Sequence, residues 1–193
     1  MTHAASMTPE QAHAALFDEI LTLEETRAAT FLPGALTPSA LHDAAAQGEA
    51  LLRSLAVIDD GAARIDDPDQ QADPALLRME AKLDILTLLV ADLAAAHDRS
   101  DARQALVWSA RGVELTLPNA PAPGQEGMFR VRASDWLPTP LLLPSRVLAV
   151  RQETGASRVW LGFEQLSAAM ESALERHVFR IHRRAVAHSR RER

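Results

Sequence analysis

Leu76, Leu83, Val90 and His97 recur every seven residues, and Met79, Leu86 and Leu93 recur with them, offset by three. These are the a and d positions of a coiled-coil seam sustained for three heptads. Asp73 caps such a helix and Pro74 suits its first turn, so the spacing predicts a helix from Pro74 to about Arg99. Leu77, Ile85, Leu88 and Leu89 make it apolar around more than half its girth. A helix of that kind has to be covered on two sides. Two arrangements satisfy it: a bundle between subunits through Leu76, Met79, Leu83, Leu86, Val90 and Leu93, or a three-helix bundle within one chain. The residues at a and d do not fix the number of strands.

The partners for an internal bundle lie upstream. Thr8 and Gln11 form a capping box around Pro9 and predict a helix to about Ala29, with an apolar stripe of Leu16, Phe17, Ile20 and Leu23. Phe31-Leu32-Pro33-Gly34 ends it. A second Thr-Pro start at Thr37-Pro38 opens a helix to about Ile58. There Leu41, Gly48 and Leu55 lie seven apart, and Gly48 permits another helix to approach closely. Residues 59–74 read as an acidic connector. Its aspartates lack the central glycine and terminal glutamate of an EF-hand, so no metal site is expected.

Downstream the period changes. In Ala105–Leu117, Leu106–Ser109 and Val113–Leu117 read as two arms of a hairpin bent at Ala110-Arg111-Gly112, with Gly112 supplying a positive φ. After the Pro- and Gly-rich loop Pro118–Gly127, Met128–Ala133 alternates as a strand with a basic face. Leu141–Arg151 and Arg158–Gln165 form a further hairpin. Short antiparallel strands of this number imply a small barrel or sandwich. Ser167 caps a last helix from Ala168 to about His188, with Met170, Leu174, Val178 and Ile181 packing back. The fold class is therefore α+β. Residues 1–73 form a helical region and linker, 74–103 the heptad helix, 104–188 the β unit with its closing helix, and 189–193 a basic tail.

Charge divides along the same line. Residues 1–103 carry 7 Lys+Arg against 18 Asp+Glu, and residues 104–193 carry 13 against 8. The arginines of the last helix and tail (Arg176, Arg180, Arg183, Arg184, Arg190, Arg191 and Arg193) allow an alternative function, binding of nucleic acid or an anionic partner. A solvated basic face is the commoner use, and nucleic acid is not the expected partner. The chain has no cysteine, which excludes disulfides and thiolate metal sites. It begins with neither a basic start nor an apolar run, and the most apolar helical stretch, interrupted by Asp92, is too short to span a bilayer. A cytoplasmic protein is expected. His177 and His182 are five apart and do not share a helical face, Ser109 lies in no nucleophile elbow, and no phosphate loop or dinucleotide fingerprint occurs. Neither catalysis nor a cofactor is expected.

The order of parts is familiar: a hairpin with Ser-x-x-Gly at Ser109 and Gly112, Arg-bearing strands, a closing strand VWLGFEQLS, and the helix ESALERHVFRIHRR. Over residues 75–185 the chain resembles a PilZ domain, a bacterial receptor for cyclic di-GMP built as a six-stranded β-barrel with a C-terminal helix. The heptad helix ahead of the barrel is similar to the atypical, helix-extended branch, whose helices assemble tetramers. The resemblance implies a homo-oligomer, likewise tetrameric, with protein partners in a signalling pathway and cyclic di-GMP as ligand. The family signature also departs here. Its leading acid or amide falls on Val107, which offers a guanine edge no hydrogen bond, and its Arg-x-x-x-Arg matches Arg99 and Arg103 only in spacing, too near the hairpin. Direct binding is therefore expected to be weakened or absent. From charge and strand position alone, Arg111, Arg130, Arg132 and Arg146 are further candidate ligand residues.

Overall fold

The computed structural model describes residues 7–65, 79, 83, 86, 90, 101–135, 137 and 139–191. Its elements run α1 (Pro9–Phe17), β1 (Leu23–Pro33), α2 (Pro38–Ile65), β2 (Arg103–Trp108), β3 (Gly112–Leu117), β4 (Glu126–Val131), β5 (Leu141–Glu153), β6 (Ala156–Phe163) and α3 (Ala168–Arg191). The strands form one antiparallel sheet in the order β1-β2-β3-β6-β5-β4, closed into a barrel by pairing of β1 with β4.

The first helix is much shorter than the sequence predicts. The Thr8 hydroxyl accepts from the Gln11 amide at 3.2 Å and the Gln11 side chain accepts from the Thr8 amide at 3.0 Å, so the capping box forms. The helix nevertheless stops at Phe17, because Asp18 is extended and Glu19 takes a left-handed φ of 59°. From Leu23 the chain is a strand instead. Leu23–Ala28 pair with β2, and Ala29–Pro33 cross to β4, with Phe31 opposite Phe129. The region 1–73 is thus not wholly helical, since it supplies one of the six barrel staves.

Helix α2 begins as expected, with the Thr37 hydroxyl accepting from the Ala40 amide at 3.2 Å. It continues to Ile65, past the expected end at Ile58, because Asp59–Ile65 contains no proline and two alanines favour the helix. The remainder of the expected acidic connector lies outside the described residues. So do Leu76, Leu93 and Arg99. Met79, Leu83, Leu86 and Val90 are helical and 56–60% exposed.

The barrel interior is mostly apolar. Trp108, Val113, Leu115, Phe129, Val131, Leu141, Leu143, Val147, Val159 and Leu161 are all buried in one cluster. Leu51, Leu52 and Leu55 of α2 and Met170, Leu174 and Val178 of α3 join it, so the two helices seal this core from water. Each such side chain contributes about 1.5–3 kcal/mol of transfer free energy. Gly48 does what the sequence suggests: a Cβ there would stand 2.6 Å from Met170 Cε, so its absence lets α2 close on α3. The Ser167 hydroxyl caps α3 by accepting from the Met170 amide at 3.0 Å.

Helix α1 packs elsewhere. Ala12, Leu16 and Phe17 form a separate small cluster with Ala149 and Trp160, flanked by Val107 and Leu148. Val107 alternates with the inward Leu106 and Trp108, which places α1 on the outside of the barrel wall.

Candidate functional site

The hairpin turn between β2 and β3 gathers Ser109, Arg111 and Gly112. The Ser109 amide donates to the Gly112 carbonyl at 2.9 Å, closing the turn. The Ser109 hydroxyl is fully buried and engaged in both directions. It donates to the Leu16 carbonyl at 2.7 Å, at the end of α1, and accepts from the Arg111 amide at 3.0 Å. The Arg111 side chain is exposed. Val107 is half-buried beside the α1 cluster.

Gly112 is not used as its sequence context suggests. The left-handed glycines are Gly124, with φ 78°, and Gly155, with φ 80°; Gly112 is not among them. The constraint on it is space. It sits opposite Gly162 in the β3–β6 ladder, and a Cβ would overlap the Leu161 carbonyl oxygen and come within 2.6 Å of Leu16 Cδ2. It is glycine because a neighbouring backbone and the α1 helix approach closely.

Among the described residues, the candidate arginines do not converge on one pocket. Three of the five that are described, Arg103, Arg130 and Arg146, are tied to carboxylates of their own. Arg103 donates to Asp135 at 2.8 Å and to the Thr26 carbonyl at 3.0 Å. Arg130 forms a two-pronged pair with Asp101, Nε to Oδ2 at 2.7 Å and Nη2 to Oδ1 at 2.5 Å. Arg146 bridges Glu164 at 2.7 Å and Glu126 at 2.6 Å, and the Glu164 hydrogen bond raises its pKa further. Arg132 is half-buried just beyond β4, its amide donating to the Ala28 carbonyl at 3.0 Å. The placement of Arg103 also changes the motif arithmetic. The family signature has its arginine pair ahead of the first strand, whereas Arg103 itself opens β2 and so follows β1 in the chain.

A second polar cluster escaped the sequence reading. Leu23, Glu25, Arg27, Ala29 and Phe31 share one face of β1, which places a glutamate and an arginine on the inward side. Glu25 accepts from Arg27 Nε at 2.7 Å and from Trp108 Nε1 at 3.1 Å. Arg27 reaches on to Asp135 at 3.1 Å, which Arg103 also holds. Hydrogen bonding by Arg103, with the charge of Arg27 behind it, lowers the Asp135 pKa. His177 is buried edge-on against Trp108, ring centroids 6.1 Å apart. The visible signal for this cluster was the period-two order Leu23-x-Glu25-x-Arg27-x-Ala29-x-Phe31.

Among the described residues no group of His, Asp and Glu has the arrangement of a metal site, and no helix is long and apolar enough to cross a membrane.

Comparison with known proteins bears directly on this barrel. No curated protein matches the chain. The crystal structure of a pathogenic protein from Xanthomonas campestris, described as a new tetrameric PilZ domain self-assembled via an unusual helical bundle, superposes with a TM-score of 0.79. It is 35% identical in sequence, over 93% of this chain and 97% of that one. The family described as "Atypical PilZ domain, cyclic di-GMP receptor" matches residues 52–191. With most of the chain so matched and the six-stranded fold in place, the protein belongs to the atypical PilZ domain family.

Proposed function

We propose that this protein is a non-enzymatic signalling adaptor in cyclic di-GMP-linked control of motility, biofilm formation or virulence. It assembles through its heptad helix, as a tetramer, and takes up the nucleotide weakly or not at all. It acts in the cytoplasm through contacts with other proteins.

The observation that carries the reading is the stripe Met79, Leu83, Leu86 and Val90, four large apolar side chains at heptad spacing and each more than half exposed. Such a row in water favours association with a like row. The tetrameric helical bundle of the Xanthomonas relative supports the same assembly here. Weak nucleotide binding is supported by the turn chemistry. Val107 offers no polar group, the Ser109 hydroxyl is already engaged by Leu16, and Arg103, Arg130 and Arg146 are neutralised by carboxylates. A ligand phosphate would have to displace those ion pairs before gaining the arginines.

The test combines solution mass with calorimetry. Light scattering on the intact chain should give a mass of four chains, and Leu86→Asp, which puts a charge in the seam, should give a smaller species. An unchanged mass in Leu86→Asp removes the heptad helix as the interface. Titration with cyclic di-GMP should give little or no heat. Strong binding that disappears in Arg99→Ala/Arg103→Ala would show instead that the displaced arginine pair is a working ligand site.

A further inference from the structure

We propose that α1 is a displaceable strap over the Ser109–Gly112 turn, closed in this structure, whose local opening returns that turn to solvent. The proposal rests on the adaptor reading only for the ligand that would use the turn; the strap itself is argued from the contacts of α1.

Three sets of contacts define the closed state. Leu16 touches the turn twice, its carbonyl accepting the Ser109 hydroxyl and its side chain filling the space beside Gly112. Leu16, Phe17 and Ala12 rest on Trp160 and Ala149. Two surface contacts then hold the helix laterally, Glu10 to Arg151 and His13 to Glu114. While these persist, no other acceptor can take the Ser109 hydroxyl.

Several features make the strap separable from the barrel. Its apolar contacts form a small cluster apart from the main core, so losing them leaves the barrel interior packed. The helix is nine residues long and is followed by an extended Asp18 and a left-handed, non-glycine Glu19, a backbone state that relaxes once the helix is free to turn. Both lateral contacts have a well-exposed member, and exposed contacts of this kind hold weakly. Beneath the strap, Trp160 Nε1 is buried without a hydrogen-bond partner among the described residues, and opening gives it water. Against opening stands the exposure of Leu16, Phe17 and Trp160, so the closed form dominates. The opened turn presents a serine hydroxyl and the exposed Arg111 guanidinium, donors suited to a phosphate ester. Such a ligand competes with the Leu16 carbonyl, and its apparent affinity is reduced by the small open fraction.

Native-state hydrogen exchange on the intact chain tests this. The amides of Ala12 and Asp18, which bond within α1, and the Trp160 indole N–H beneath it should exchange through one common opening, at least about tenfold faster than the backbone amides of Val159 and Leu161 in β6. Leu16→Ala should speed the α1 amides and the Trp160 indole together by at least about tenfold and leave the β6 backbone amides unchanged. Thr8→Ala removes only the cap, lies off the barrel, and should speed the same N–H groups about fivefold. The strap is overturned if the α1 amides and the Trp160 indole exchange as slowly as the β6 amides, or if the indole stays protected while α1 exchanges freely. A titration of Leu16→Ala with cyclic di-GMP separates the two ideas. Tighter binding in step with faster exchange supports gating, whereas faster exchange with no gain in affinity refutes the nucleotide reading and leaves the strap standing.

Discussion

Replacing Gly112 by alanine asks the most direct question about how the hairpin and the barrel wall fit. The new Cβ would overlap the Leu161 carbonyl oxygen, a backbone atom held in the β3–β6 ladder, and crowd Leu16. Leu16 can rotate away; the carbonyl can move only by separating the strands. Overpacking of this kind costs about 1–3 kcal/mol. Strand separation also weakens the adjoining bond from the Phe163 amide to the Arg111 carbonyl at 2.9 Å, worth about 1 kcal/mol. A loss of roughly 2–4 kcal/mol corresponds to roughly 5–15 °C in Tm for a chain of this size. Asparagine sharpens the test, because it tolerates a left-handed backbone but carries a Cβ. At Gly155, left-handed with nothing within 4 Å, Asn should cost only a few tenths of a kcal/mol and Ala about 1 kcal/mol. At Gly112, Asn should be at least as damaging as Ala. Urea unfolding followed by tryptophan fluorescence measures all four variants. A Gly112→Ala protein within about 0.5 kcal/mol of the parent, or one improved by Asn, would refute the steric argument.

Three other perturbations draw on the same geometry. Glu25→Ala strips the acceptor from both Arg27 and Trp108 and should lower stability by about 2–3 kcal/mol in urea unfolding, with Glu25→Gln losing less because it still accepts from the indole. Asp135 has its pKa held below the ordinary 3.8 by Arg103 and Arg27, so its contribution is present above that value and is lost as pH falls through the lowered one. Asp135→Asn should therefore be less stable than the parent at pH 5–7 and converge with it once pH falls below that lowered value, as measured by unfolding across pH. Gly48→Ala should change Tm little, since the Met170 terminus can yield and alanine gains about 1 kcal/mol of helix propensity, whereas Gly48→Val should cost at least about 2 kcal/mol by forcing α2 from α3.

Much of the barrel was legible from local patterns. The hairpin at Ser109–Gly112, the strands β4 to β6 and the caps at Thr8, Thr37 and Ser167 each have a nearby signal, and the structure moves their ends by only a few residues. Strand β1 was hidden for a physical reason. Leu16, Phe17, Ile20 and Leu23 happen to fit a helical stripe, and the inward face of the strand carries Glu25 and Arg27 where an apolar alternation would be sought. Those charges are tolerated because Glu25, Arg27, Trp108 and Asp135 satisfy one another, a long-range fact with no local trace. The candidate site was legible only in part. The serine, arginine and glycine of the turn were identifiable, but the Leu16 carbonyl that engages the serine lies 93 residues away in sequence. For the same reason Gly112 could be recognised as special while the cause, a backbone packed against it, could not.

The separation of β1 from its partners has a consequence for how the chain comes to be folded. Ala28 waits for Arg103 and Phe31 for Phe129, while β2–β3 and β5–β6 can each form by closing a short turn. During synthesis the first stave therefore emerges long before either neighbour exists, and joining it closes a loop of some 70 residues at an entropic cost of about 4 kcal/mol. A bare apolar strand kept waiting in this way would be a template for aggregation. Glu25 and Arg27 act as gatekeepers over that interval: charged while the strand is alone, and neutralised within the wall once the ring shuts.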